Sequence, residues 1–213
     1  MNRDFAREEH IYKSDTFEEI IKDTIRFFNG TPVIELPPST RFHGTGVYAI
    51  YYIGKLEVYK ALAARNRIEF AQPIYVGKAV PRGWRQARVE NDSAHTSFAL
   101  VGRLREHKRS IEHAENLMLE DFRCRFMILE GPESNLIGTV EASLIRYYTP
   151  IWNTSINGFG NHDPGKGRYN QAKSDWDVIH RGRPWADRLK GVGNPPNKVE
   201  ENAVEYFKNR NKE

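Results

Sequence analysis

The 213-residue chain holds one cysteine, Cys124, so it can form no internal disulfide framework and offers no cysteine cluster for a structural zinc. No run approaches the roughly 18 consecutive apolar residues that a bilayer-spanning helix requires. The opening MNRDFAREEH is charged, not apolar, so the expectation is a soluble, cytoplasmic protein. Internal repeats and low-complexity tracts are also missing, which excludes solenoids and compositional linkers. Nor is the charge one-sided: 32 Lys and Arg face 28 Asp and Glu, a net +4. Such a balance permits a nucleic-acid partner without establishing one. What remains is a chain long enough for one elaborated domain with its own core.

Periodicity supplies the elements. SDTFEEIIKDTIRFFNG reads as a helix in which Thr16 and Glu19 form a capping box, Phe17, Ile20, Ile21, Thr24 and Phe28 share a face, and Asn29-Gly30 is the stop. A Pro-rich link, IELPPSTRFHG, leads to an apolar strand over 46–53, a short helical stretch, LEVYKALAARN, and a second brief strand over 73–77. SFALVGRLREHKRSIEHAENL reads as a helix capped by Ser97, with Phe98, Val101, Leu104 and Ile111 facing the core and its Arg and His on other faces. The alternation of Phe122, Cys124, Phe126 and Ile128 predicts a third strand. SNLIGTVEASLIRYYTP is a helix ended by Pro150, followed by a Gly- and Asn-rich loop and an amphipathic stretch, VEENAVEYFKNR. The expected fold is α+β: a small, mostly antiparallel sheet of about three strands flanked by helices, with insertions and terminal extensions.

The stretch GVYAIYYIGK, residues 46 to 55, contains three tyrosines, and strand geometry sorts them. Side chains alternate, so Tyr48 and Tyr52 share a face, about 13 Å apart, while Tyr51 points away. A second hydroxyl near Tyr48 must come from an adjacent strand. Tyr75, followed by Val76, Gly77 and Lys78, is the candidate. Downstream stand Arg103 and His107, four apart on one helix, then Glu141, then Asn153 twelve residues later. Singly, each has an ordinary reading: strand aromatics, a solvated helix face, a first-turn acid, a turn residue.

Taken in order, Gly46-Val47-Tyr48, Tyr75-Val76-Gly77-Lys78, Arg103, His107, Glu141 and Asn153 resemble the GIY-YIG nuclease family over residues 46–153. Its Type II restriction endonucleases that cut GC-rich palindromes, with SacII-like specificity, are the most similar members. The resemblance implies a catalytic core at 46–153, interrupted by an insertion at 55–72. An N-terminal helical extension would occupy 1–45 and a DNA-contacting extension 154–213. One departure stands out: 26 residues separate Tyr48 from Tyr75, where the family has about a dozen. The resemblance also implies site roles. Tyr48 would activate water, with Lys78 and Arg103 as cations that draw its phenol toward the phenolate. Tyr75 would orient water or bind phosphate, and His107 would relay a proton or contact phosphate. Glu141 would hold a single Mg2+ that keeps most of its waters, and Asn153 would hold Glu141 or the backbone.

Base reading falls to the arginine-rich insertions, because arginine pairs with guanine in two places. Arg82, Arg85 and Arg88 surround Trp84, and Arg181, Arg183 and Arg188 surround Trp185. His162 and Asp163 are too isolated to mark a metal site. Cutting both strands of a palindrome implies a homodimer on double-stranded DNA, with the N-terminal helix or VEENAVEYFKNR as its interface. Two other readings fit the same residues: a repair or homing nuclease on this core, or a DNA-binding module without catalysis.

Overall fold

The central strand β2 (Gly46–Tyr52) is buried along all seven residues, which is how a strand reads when both sheet faces are covered. The computed structural model describes residues 5–81, 84 and 96–210. Around β2 lie β1 (Ile34–Glu35), β3 (Tyr75–Ala79) and β4 (Phe122–Ile128), in the order β1-β4-β2-β3 and antiparallel throughout. The sheet therefore has four strands, not about three. The extra one is the two-residue pairing of Ile34 with Cys124 and Glu35 with Arg123, inside the Pro-rich link. Two residues are too few to show a period.

Helices cover both faces and set the layers. Tyr48, Ile50 and Tyr52 enter one core with Leu62 of α2 (Lys60–Ile68), Leu100, Leu104 and Ile111 of α3 (Ala99–His113), and Trp152 of α5 (Ile151–Thr154). Val47, Ala49 and Tyr51 enter the other with Phe28 of α1 (Asp15–Gly30) and Val140 and Leu144 of α4 (Ile137–Tyr148). Each such side chain contributes about 1.5–3 kcal/mol on burial. The chain beyond 154 folds back on the first core, which it joins through Trp176 of α6 (Asp175–Ile179) and Val199 and Ala203 of α7 (Pro196–Arg210). The ends of the 55–72 segment are stapled by buried Asn66, which donates to Tyr52 O (3.1 Å) and Gln72 O (2.8 Å) and accepts from Gln72 N (3.1 Å). The segment thus returns the chain to the sheet for β3.

Three helical expectations shift. Ser14, not Thr16, caps α1, its Oγ accepting from Phe17 N at 3.3 Å, because Ser14 has the extended backbone a cap requires while Thr16 is already helical. The apolar face of α1 also splits into two stripes. Ile25 and Phe28 pack on the sheet, whereas Phe17 (47% exposed), Ile20 (39%) and Phe27 (62%) face outward. On α3 the buried positions are Leu100, Val101, Leu104, His107 and Ile111, so His107 belongs to the core-facing series and not to another face.

Tyr51 lies on the face away from Tyr48, and its hydroxyl is buried without a hydrogen-bond partner. An unpaired buried hydroxyl costs about 1–3 kcal/mol. Replacing Tyr51 by Phe is therefore expected to leave the thermal midpoint unchanged or raise it. A fall of several degrees would mean that the hydroxyl has a partner.

A second buried polar chain joins insertion, core and C-terminal segment. Trp152 Nε1 donates to Tyr59 Oη (2.8 Å), Tyr59 Oη donates to His180 Nε2 (2.7 Å), and His180 Nδ1 donates to Asn116 Oδ1 (2.8 Å). That order requires a neutral imidazole, and burial, with Arg183 adding, holds His180 down to about 3. An unfolded histidine titrates near 6.5, so between about 3 and 6.5 the unfolded chain binds the extra proton. Stability from this group is complete above that window and falls by about 1.4 kcal/mol per pH unit on descending through it. Urea midpoints at pH 7 and pH 5 should show a larger loss for the native chain than for His180→Gln. Equal losses would contradict a buried neutral His180.

Candidate active site

Strand register decides which tyrosines meet. Tyr48 pairs with Gly77 and Ile50 with Tyr75, so Tyr48 and Tyr75 lie diagonally on one face with ring centroids 6.3 Å apart. The Tyr48 ring fills the space over Gly77, where an added Cβ would stand 2.5 Å from its Oη and 2.7 Å from its Cζ. Gly46 is held at φ +153°, and a Cβ there would stand 2.0 Å from the Met127 carbonyl oxygen. Both glycines are thus required by close approach of other atoms.

β3 is an edge strand, and Asn153 completes it. Its Oδ1 accepts from Val76 N (2.8 Å) and its Nδ2 donates to Val76 O (2.9 Å), so one amide imitates a neighbouring strand and fixes Tyr75 and Gly77 on either side. Of the two roles anticipated for Asn153, the contact is with backbone, not Glu141.

His107 lies beside Tyr48, their Nε2 and Oη atoms 2.6 Å apart and both buried. Burial pushes the Tyr48 phenol well above its ordinary value of 10; Tyr75 adds to the rise and Arg103 pulls it back. Burial, then the charge of Arg103, holds His107 well below its ordinary 6.5. Arg103 draws the phenol toward the phenolate as expected, but burial outweighs it, and Lys78, expected to help, is turned to the other sheet face and paired with Glu141. The phenol keeps its proton, and a neutral His107 whose Nε2 lies 2.6 Å away is placed to accept it. Tyr75 is likewise raised by burial and lowered by Arg103.

Among the described residues, Arg103 donates to three acceptors. Nη1 donates to Glu106 Oε2 (2.7 Å) and to His162 Nε2 (2.6 Å), and Nη2 donates to the Gly160 carbonyl (2.8 Å). Lys78 pairs with Val47 in the register, which turns its side chain to the other sheet face, where it forms an ion pair with Glu141 of α4. Because β3 is the edge, groups from both faces reach its rim: Lys78, Arg103, Glu106 and His162 line one open, polar cleft of about 750 Å³. A larger cleft, of about 830 Å³, is walled by Leu56, Val58, Val178 and Phe207 and contains none of these groups. The charge distribution, not the volume, identifies the candidate site.

The arginine-rich stretches fare differently. Arg82, Arg85 and Arg88 lie outside the described residues. Arg181 is exposed. Arg183, expected at a DNA surface, is 2% exposed: its Nε donates to Asp177 Oδ1 (2.7 Å), and its terminal nitrogens donate to the carbonyls of Gly158 (3.0 Å), Phe159 (3.1 Å) and Asn161 (3.3 Å). It is a structural clamp, sandwiched between Trp176 and Trp185. Arg188 pairs with Asp163 at 2.6 Å. Sequence reasoning missed Glu106, whose i, i+3 spacing from Arg103 was a usable signal, and the loop contacts from Phe159, Gly160 and His162, which carried none.

The model of the Eco29kI GIY-YIG domain family matches residues 40–207, most of the chain. The chain belongs to this family. Membership makes it a GIY-YIG nuclease, with DNA as its substrate. The match extends past the 46–153 segment on both sides, so it takes in α6, most of α7 and the Arg183 clamp. A comparison with curated proteins finds no match. Among the described residues, no helix is long and apolar enough to cross a membrane.

Proposed function

We propose that this GIY-YIG nuclease is a Type II restriction endonuclease that hydrolyses both strands of double-stranded DNA at a GC-rich palindrome with Mg2+ as cofactor. The observation that carries the chemistry is the Tyr48–His107 hydrogen bond beside a cleft lined by Arg103 and Lys78. Arg103 binds the phosphate through two N–H groups. Tyr48 Oη takes a proton from the attacking water as its own proton passes to His107 Nε2, so no free phenolate is needed. The water oxygen bonds to phosphorus while the P–O bond to the leaving sugar oxygen breaks. Tyr75 orients the water or the phosphate, and Asn153 keeps β3 in register beneath them.

The residues fit a magnesium ion. Among the described residues no three His, Cys, Asp or Glu side chains gather around one point; two single carboxylates stand at the site, Glu106 paired with Arg103 and Glu141 paired with the Lys78 ammonium, and Glu141 is the one we assign to the ion. One carboxylate suits Mg2+, which completes its shell with waters and phosphate oxygens. When bound, the ion supplies positive charge for the developing phosphoryl charge and the leaving oxygen.

Guanine reading is assigned to Arg82, Arg85 and Arg88, with Arg181 from the second stretch, where Arg183 is buried and Arg188 is exposed but paired with Asp163. Cutting a palindrome on both strands calls for a homodimer. α7 uses its Val199 and Ala203 within its own core, which favours the outward stripe of α1, Phe17, Ile20 and Phe27, as the interface. The test is incubation with plasmid DNA, with and without Mg2+. Discrete fragments only with Mg2+ support the proposal; a smear indicates a nuclease without site preference, and an intact, retarded plasmid indicates a binding module.

A further inference from the structure

We infer that His162 is a positioning residue that holds the Arg103 guanidinium at the mouth of the cleft until a DNA phosphate takes its place, an inference that rests on the nuclease reading above. A guanidinium has donors only, so each of its partners must accept. His162 Nε2 accepts from Nη1 at 2.6 Å, Glu106 Oε2 from the same nitrogen at 2.7 Å, and the Gly160 carbonyl from Nη2 at 2.8 Å. Held at both terminal nitrogens, a long side chain keeps one orientation without the rotamer search that a free arginine must undergo on binding. His162 can accept only when neutral, and partial desolvation against the cleft, with the charge of Arg103 adding, lowers its pKa and so favours that state.

His162 is exposed, yet it does not sit on a free loop. The preceding residues are tied down by Arg183, which donates to the carbonyls of Gly158, Phe159 and Asn161 from within its ion pair with Asp177. The Phe159 ring stacks on His107 at 4.4 Å and meets Tyr75 edge-on at 5.0 Å. The C-terminal segment thus builds a third wall of the site, and His162 is the member of that wall that reaches the cleft. Of the two side chains on Nη1, Glu106 is an anion that repels phosphate, whereas neutral His162 yields to it without that electrostatic cost.

The test compares His162→Ala and His162→Gln with the native chain in single-turnover cleavage at saturating enzyme, DNA affinity without metal, and thermal melting. The alanine variant is expected to cleave about 10- to 100-fold more slowly, the size of effect that loss of orientation produces. Affinity and melting temperature should change little, and the glutamine variant, whose amide oxygen can accept from Arg103, should regain most of the rate. Native cleavage by His162→Ala would overturn the inference. So would a lost rate that glutamine does not rescue and that comes with a lowered melting temperature. Glu141→Gln is the control: if it cleaves like the native chain, the fault lies with the placing of the metal-dependent site beside this cleft, not with His162.

Discussion

Replacing Tyr48 by Phe is expected to slow single-turnover cleavage by about 10²- to 10⁴-fold, the range for removal of a positioned proton acceptor. The ring stays over Gly77 and beside Tyr75, so the sheet register is kept. What goes is the one oxygen that can pass a proton to His107 Nε2, 2.6 Å away. The buried imidazole then lacks that partner, at a cost of about 1–3 kcal/mol, or roughly 2–12 °C in melting temperature for a chain of this size. DNA affinity measured without metal should hold, because the hydroxyl is buried and the substitution leaves Arg103 and Lys78, the cations that line the cleft, untouched. A Tyr48→Phe enzyme that cuts at the native rate would remove Tyr48 from the chemistry.

Glu141→Gln is expected to abolish metal-dependent cleavage, a loss of at least about 10²- to 10³-fold for the electrostatic stabilisation it forfeits. Binding should persist or tighten, since a negative charge near the phosphate is removed while Lys78, freed from its ion pair, remains at the cleft. Folding should be affected only modestly, because the amide preserves the carboxylate's shape and can still accept from Lys78. Cleavage assays over a Mg2+ titration, beside gel shifts without metal, separate the two effects. A variant that cuts at native rates in Mg2+ would show that the ion is not held by Glu141.

The core of the fold was legible because β2 is a continuous apolar run, β4 alternates, and the three tyrosines of β2 could be sorted by period two: Tyr51 falls on the opposite face from Tyr48, in the other core. β1 was not legible, since its two residues acquire strand character only by pairing with β4, some 90 positions downstream. Arg183 looked like a surface arginine for the same reason. RGRPW says nothing local about the carbonyls of Gly158 to Asn161 and the carboxylate of Asp177 that enclose it. Tyr48, Arg103, His107 and Glu141 could be picked out through their order along the chain, but the loop that completes the Arg103 contacts could not. Its His162 has no neighbour in sequence that signals a role and gains one only where Arg183 brings the loop to α3.

The most direct measurement sets three proteins side by side on one supercoiled plasmid with Mg2+: the native chain, Tyr48→Phe and Tyr51→Phe. The two substitutions remove the same hydroxyl from opposite faces of one strand, so a difference between them reports the site and not the loss of a tyrosine. The native chain and Tyr51→Phe should yield the same discrete fragments at similar rates, while Tyr48→Phe leaves the plasmid uncut. Loss of cleavage in a folded Tyr51→Phe protein, or native cleavage by Tyr48→Phe, would contradict the account.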